Sequence, residues 1–216
     1  MNLINNLSSS LGTREQGPNM LLGHKIVEEN DEKAVKDIKE LIATNKTSLP
    51  VLCDLIKVLE AIGTKKPFLI ATLYPEVSKL IEHKENHVVW RAMCVLPLIA
   101  PYNMELVQDD LTRILKAMDE GSVITRDHGF SLLVSLYELP AYHENMTYIL
   151  SEQLMKAPDN QLGQYAEKWL AVIEKSHIHL LIPLLETRLP DLEKEAHQKR
   201  ISKIILKLQK MKKETT

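Results

Sequence analysis

Glycine is scarce in this chain, 7 of 216 residues, and aromatic side chains make up only 5%. So little glycine argues against phosphate-cradling loops, and with so few aromatics it also argues against a sheet protein full of tight turns. Cysteine is nearly absent. The two present, Cys53 and Cys94, both lie inside apolar runs, where they read as small core residues of a reduced protein rather than as a disulfide or a metal pair. No apolar run approaches the ~20 residues that a membrane span needs. The opening stretch, MNLINNLSSSLGTREQG, has no basic segment followed by an apolar one, so no secretory leader is expected and the cytoplasm is the expected compartment. Glycine-flanked serines and zinc-finger spacings are also missing, so neither enzymatic chemistry nor a cofactor is expected.

What the chain does have is helical periodicity. It is 44% hydrophobic and 26% charged, enough to bury a continuous core. In the stretch 86–101, Val88, Val89, Ala92, Val95, Leu96 and Ile99 recur every three or four positions, which predicts a helix buried on most of its circumference. Such a helix needs neighbours on both sides. In chain order, residues 1–17 are expected to be flexible or one short helix. Pro18 then starts a helix through Val27. Asp31 caps one that runs to Asn45, and Ser48 with Pro50 opens one that Gly63 closes. A longer helix is expected from Pro67 to His83, kinked at Pro75. Asn103, Ser122, Pro140, Asn160, Ser176 and Pro190 are the expected starts of six more. That gives about eleven or twelve helices and no strand, joined by short loops that set neighbours antiparallel.

A register recurs along these helices. Val89, Arg91, Cys94 and Leu98 are matched 35 positions on by Ile124, Arg126, Gly129 and Leu133, and Glu85 by Glu120. The small-then-leucine pair returns at Ala166 and Leu170, and again at Ser202 and Leu206, with Gly163 and Lys199 in place of the arginine. Two helices per period of about 35 residues resembles the HEAT and armadillo class of helical repeats. That resemblance implies an all-α fold: one domain over 18–216, a right-handed α-α superhelix of five or six hairpins, ending in a basic capping helix at 191–213. It also implies that Arg91 and Arg126 pair with Glu85, Glu120 or adjacent loops. Second helices of such hairpins line a concave surface, where Arg91, Arg126, Asp127, Ser131, Gln164, Lys168, Arg200 and Lys203 hold the polar positions. The expected function is non-enzymatic capture of another protein on that surface.

The alternative is a DNA-binding protein of the alkylpurine glycosylase kind, another class of HEAT-like proteins. It is disfavoured by the formal charge of −2 and a pI near 6.5, which offer phosphates little general attraction. Charge is uneven, however: segment 192–216 carries +5 and the rest of the chain −7. His83 and His87 are four apart but straddle an expected loop and helix start, and read as solvated.

Overall fold

The computed structural model describes residues 3–44 and 46–213. Among them every regular element is a helix, with eleven α-helices and short 3₁₀ turns between them. The chain forms two compact units, Met1–Leu132 and Leu133–Thr216.

In the first unit, α1 (Gly17–Glu29) ends on Asn30, whose left-handed φ of 50° an asparagine accommodates well. Lys66 holds the Asn30 Oδ1 at 2.5 Å. Helix α2 (Glu32–Ala43) starts where expected, because the Asp31 carboxylate accepts the Ala34 N–H at 2.9 Å. Asn45, its expected end, lies outside the described residues. Helix α3 (Leu49–Lys65) buries Leu55, Ile56, Val58, Leu59 and Ile62 completely. It does not stop at Gly63. That glycine lies inside the helix, and a Cβ there would meet Leu98 Cδ1 at 2.9 Å, so the residue serves the approach of α5 (Asn86–Ile99) rather than a chain reversal. Helix α5 is buried as its periodicity predicts, with Val88, Ala92, Met93, Val95, Leu96 and Ile99 fully out of solvent.

The single kinked helix expected over Pro67–His83 does not form. The segment breaks into a 3₁₀ stretch (Pro67–Leu73), the six-residue α4 (Tyr74–Lys79) and a 3₁₀ turn (Leu80–Glu82). Pro75 sits in the first turn of α4, where a missing N–H costs nothing. In a continuous helix its ring would collide with the Ala71 carbonyl, four residues back. That carbonyl instead accepts the Asn103 Nδ2 at 2.9 Å. Asn103 precedes α6 (Met104–Glu120) as expected, but its side chain bonds to Ala71 and Ile99 and does not cap the helix.

Helices in this unit pack next-but-one as well as on their chain neighbours, α4 lying on α5 and α2 on α3. α1 lies on α3 and α3 on α5, while α2 lies on α4 and α4 on α6. Gly129, in α7 (Val123–Tyr137), is approached by the side chains of Met118 on α6 and Met93 on α5. The opening residues are tied down. Leu7 and Ser8 are buried, Ser8 N–H donates to Asn19 Oδ1 at 3.0 Å, and Ser9 N–H donates to Asp54 Oδ2 at 2.7 Å. Asn19 Nδ2 completes the link to Asp54 Oδ1 at 2.7 Å. A nearly buried carboxylate is tolerable here because two donors meet it.

In the second unit, α8 (His143–Lys156) packs on α9 (Asp159–Leu170) and on α10 (Ile178–Arg188), and α11 (Glu195–Lys213) packs on α9 and α10. The helix expected to run from Asn160 to Lys175 stops at Leu170. Helix α11 starts at Glu195 rather than at Pro190, which sits in a 3₁₀ turn. Arg188 organises one corner. Its guanidinium, 9% exposed, donates to the carbonyls of Leu154, Met155 and Ala157 at 2.7 to 3.0 Å and reaches Asp159 at 3.4 Å. It thereby closes the C-terminal end of α8, where free carbonyls and the helix dipole both favour a cation.

Candidate functional site

The eight polar positions expected to form a binding surface fall four to each unit. In the first, Arg91 is half-buried on α5 with its guanidinium stacked 4.7 Å from the Trp90 ring centroid. Glu85 is not its partner. Among the described residues its one side-chain oxygen contact is a long 3.5 Å approach to Gln16 Oε1, and its Nε is buried without a hydrogen bond. Arg126 behaves differently. Its Nε donates to the Met118 carbonyl at 3.1 Å and its Nη2 to Gly121 at 3.2 Å, so it closes the end of α6 as Arg188 closes α8. This is pairing with the adjacent loop, with Glu120 left out. Ser131 Oγ donates back to the Asp127 carbonyl at 2.9 Å on the same helix.

In the second unit, Gln164 and Lys168 lie half-buried on α9, with the Lys168 Nζ 6.0 Å from the Tyr165 ring centroid. Arg200, on α11, makes a two-pronged ion pair with Glu167 at 2.8 and 2.5 Å, and that hydrogen bonding holds the Glu167 carboxyl below its usual range. The pair explains Gly163, which replaces an arginine in the repeat register: a Cβ there would sit 2.6 Å from Arg200 Cδ. Lys203 is exposed.

The thiols offer no nucleophile. Burial pushes the Cys94 thiol up to about 12. Cys53 is also raised by burial, although the nearby Arg91 charge works against that rise. His83 is engaged within its loop, its Nδ1 accepting the Glu85 N–H at 3.1 Å. No group of three or more His, Cys, Asp or Glu among the described residues is placed to hold a metal.

One polar cluster has no counterpart in the sequence reading. In the second unit, Tyr137 Oη accepts the Glu174 N–H at 2.8 Å and lies 2.8 Å from His177 Nδ1. The phenol and the imidazole are thus hydrogen-bonded to each other, and the tautomer of His177 sets which of the two donates. Thr147 Oγ1, which donates to the His143 carbonyl at 2.6 Å, stands 3.3 Å from the same nitrogen. His143 stacks on Tyr137 with ring centroids 4.8 Å apart. Burial first, and the neighbouring His143 second, push the His177 imidazole below its ordinary pKa. A cavity of about 470 Å³ opens beside the group, lined by His143, Glu144, Thr147, Ser176, His177 and His179 among others. Its members come from three separate stretches, at 137, 143–147 and 174–179, so no local spacing announced it.

No family model matches the chain, and no curated protein matches it. Among solved structures it is similar to the crystal structure of an engineered protein, a Northeast Structural Genomics Consortium target, with a TM-score of 0.58 and 14% sequence identity over 98% of each chain. At that identity the likeness is one of fold alone. No helix among the described residues is long and apolar enough to cross a membrane.

Proposed function

We propose that the chain is a non-enzymatic protein-binding module of the HEAT and armadillo kind, an α-α superhelix in which successive hairpins cover one another's apolar flanks. The next-but-one packing of helices carries this reading: α1, α3 and α5 form one row and α2, α4 and α6 another, while in the second unit α9 lies on α11 and α8 on α10. Such rows present long polar helix faces with little local chemistry, which suits recognition of another macromolecule better than turnover of a small one. Both cysteines are free, which agrees with a reducing cytoplasmic setting.

Within the first unit the anchor we assign is Trp90 with Arg91. Tryptophan and arginine dominate the energetics of protein interfaces, and here the guanidinium has no carboxylate of its own among the described residues. A partner's carboxylate would complete it. The test is to purify the chain with its partner from the native host, identify what co-elutes, and rebuild the complex from pure components. Arg91→Glu should weaken that complex by tenfold or more, beyond the roughly 1 kcal/mol of fold stability that losing the stack on Trp90 costs in a thermal melt. An unaffected complex refutes the anchor. Submicromolar binding of duplex DNA at physiological salt, tighter than the usual nonspecific ~10⁻⁴ to 10⁻⁶ M, would favour the glycosylase-like alternative.

A further inference from the structure

We propose that the outward edge of α11 is a docking surface for anionic phospholipid headgroups. Lys199, Lys203, Lys207, Lys210 and Lys213 are all exposed, and at helical pitch they share an arc of about 120° and a length of about 21 Å. Ile201, Ile204, Ile205 and Leu208, which are buried in the second unit, occupy the opposite face. The orientation of the row is therefore set by packing, and the lysines must point outward. Lys199 is met by Glu195 at 2.6 Å. Lys203, Lys207, Lys210 and Lys213 have no ion pair among the described residues, so four unneutralised charges remain on one edge.

The composition of the row selects the occupant. In its middle, flanked by Lys203, Lys207 and Lys210, stands Leu206 at 64% exposure. An apolar side chain ringed by lysines gains nothing from a phosphate-lined nucleic-acid groove, but it can enter the acyl boundary of a bilayer whose headgroups hold the ammonium groups. Helix α11 has no Phe, Tyr or Trp, its His197 is half-buried with a buried Nδ1 and its Arg200 is held by Glu167, so the lysine row offers no platform on which a base could stack. The row is also built from lysine, the residue depleted at protein interface cores, and its edge lacks the aromatic anchors such cores use. Lysines near an anionic surface attract it through space without a fixed partner geometry, each multiplying partition by about fivefold.

The test is co-sedimentation of the full chain with vesicles. Phosphatidylcholine vesicles containing about a third phosphatidylserine should bind it at low salt, pure phosphatidylcholine vesicles should not, and the bound fraction should fall steeply as salt shortens the reach of the charges. Lys203→Gln, Lys207→Gln and Lys210→Gln combined should lower partition roughly a hundredfold. Leu206→Ser should lower it several-fold. Both variants should keep the wild-type melting temperature, since these side chains are exposed. Arg91→Glu, in the other unit, should leave vesicle binding unchanged, which separates this surface from the protein-binding one. Three results overturn the proposal: no binding to the anionic vesicles, equal binding by the triple-glutamine variant, or tighter capture of duplex DNA or polyglutamate than of the vesicles by the same lysines.

Discussion

The packing of α1 on α3 can be tested at Gly23. A Cβ added there would lie 2.6 Å from Ala61 Cβ and 3.0 Å from the Val58 carbonyl oxygen, with the Ile62 amide nitrogen at 3.4 Å. All three neighbours are rigid, being backbone or a β-carbon, so no side chain can swing away and the two helices must part. Two effects oppose each other in Gly23→Ala. Alanine favours a helix interior over glycine by about 1 kcal/mol. Inserting a methyl group into a closed contact typically costs about 1 to 3 kcal/mol, and since ordinary carbon contact distance is about 3.5 to 4 Å the clash here is severe. The clash should win by about 1 to 2 kcal/mol. Urea unfolding followed by circular dichroism should show a lower midpoint for Gly23→Ala, while Gly17→Ala, where a Cβ meets nothing within 4 Å, should be neutral or slightly stabilising. A Gly23→Ala chain as stable as wild type would mean that α1 does not sit on α3 in this way.

Two other perturbations probe the second unit. Arg188→Ala strips the cation from the carbonyls of Leu154, Met155 and Ala157 and should lower stability by about 3 to 5 kcal/mol, since buried acceptors lose charged donors. Arg188→Lys should recover only part of this in a thermal melt, having no fork to span the carbonyls. His177 makes stability depend on pH. Its folded pKa lies below the unfolded 6.5, so the contribution of the neutral ring is complete above 6.5 and is lost as pH falls from there through the folded value. Tyr137, His143, Glu144, Glu174 and His179 surround the ring and shape the same window. His177→Asn, which can still offer an acceptor toward Tyr137, should flatten that part of the stability profile; an unchanged profile would place the titration elsewhere.

The helices were legible where their signals are local. Asp31 caps α2 through the Ala34 amide, and the spacing of Val88, Ala92, Val95 and Ile99 gave the buried α5, because caps and periodicity act within a turn or two of the residues that carry them. Boundaries failed where a residue answers to something distant. Gly63 looks like a helix stop, but its missing side chain makes room for Leu98. Asn103 looks like a cap, but it serves the carbonyl that Pro75 would otherwise obstruct. The Tyr137 and His177 pair was invisible for the same reason, since its residues are separated by 40 positions and neither sits in a motif.

The two arginines show what a repeat register does and does not encode. Arg91 and Arg126 stand 35 positions apart, each within the first two turns of its helix, α5 and α7, so the register placed each early in a helix. It did not give them the same partner. Before Arg126, α6 ends at Glu120 and Gly121 turns the backbone out, leaving the carbonyls of Met118 and Gly121 free for a guanidinium. Before Arg91 there is no such helix end within reach: the preceding turn closes at Glu82, and the loop is held by His83 bonding to the Glu85 amide. Arg91 therefore lies across Trp90 instead. Arg126 is committed to the end of α6 while Arg91 keeps a guanidinium without a carboxylate among the described residues, so under the protein-binding function we propose, Arg91 and not Arg126 is the arginine whose reversal is expected to cost binding.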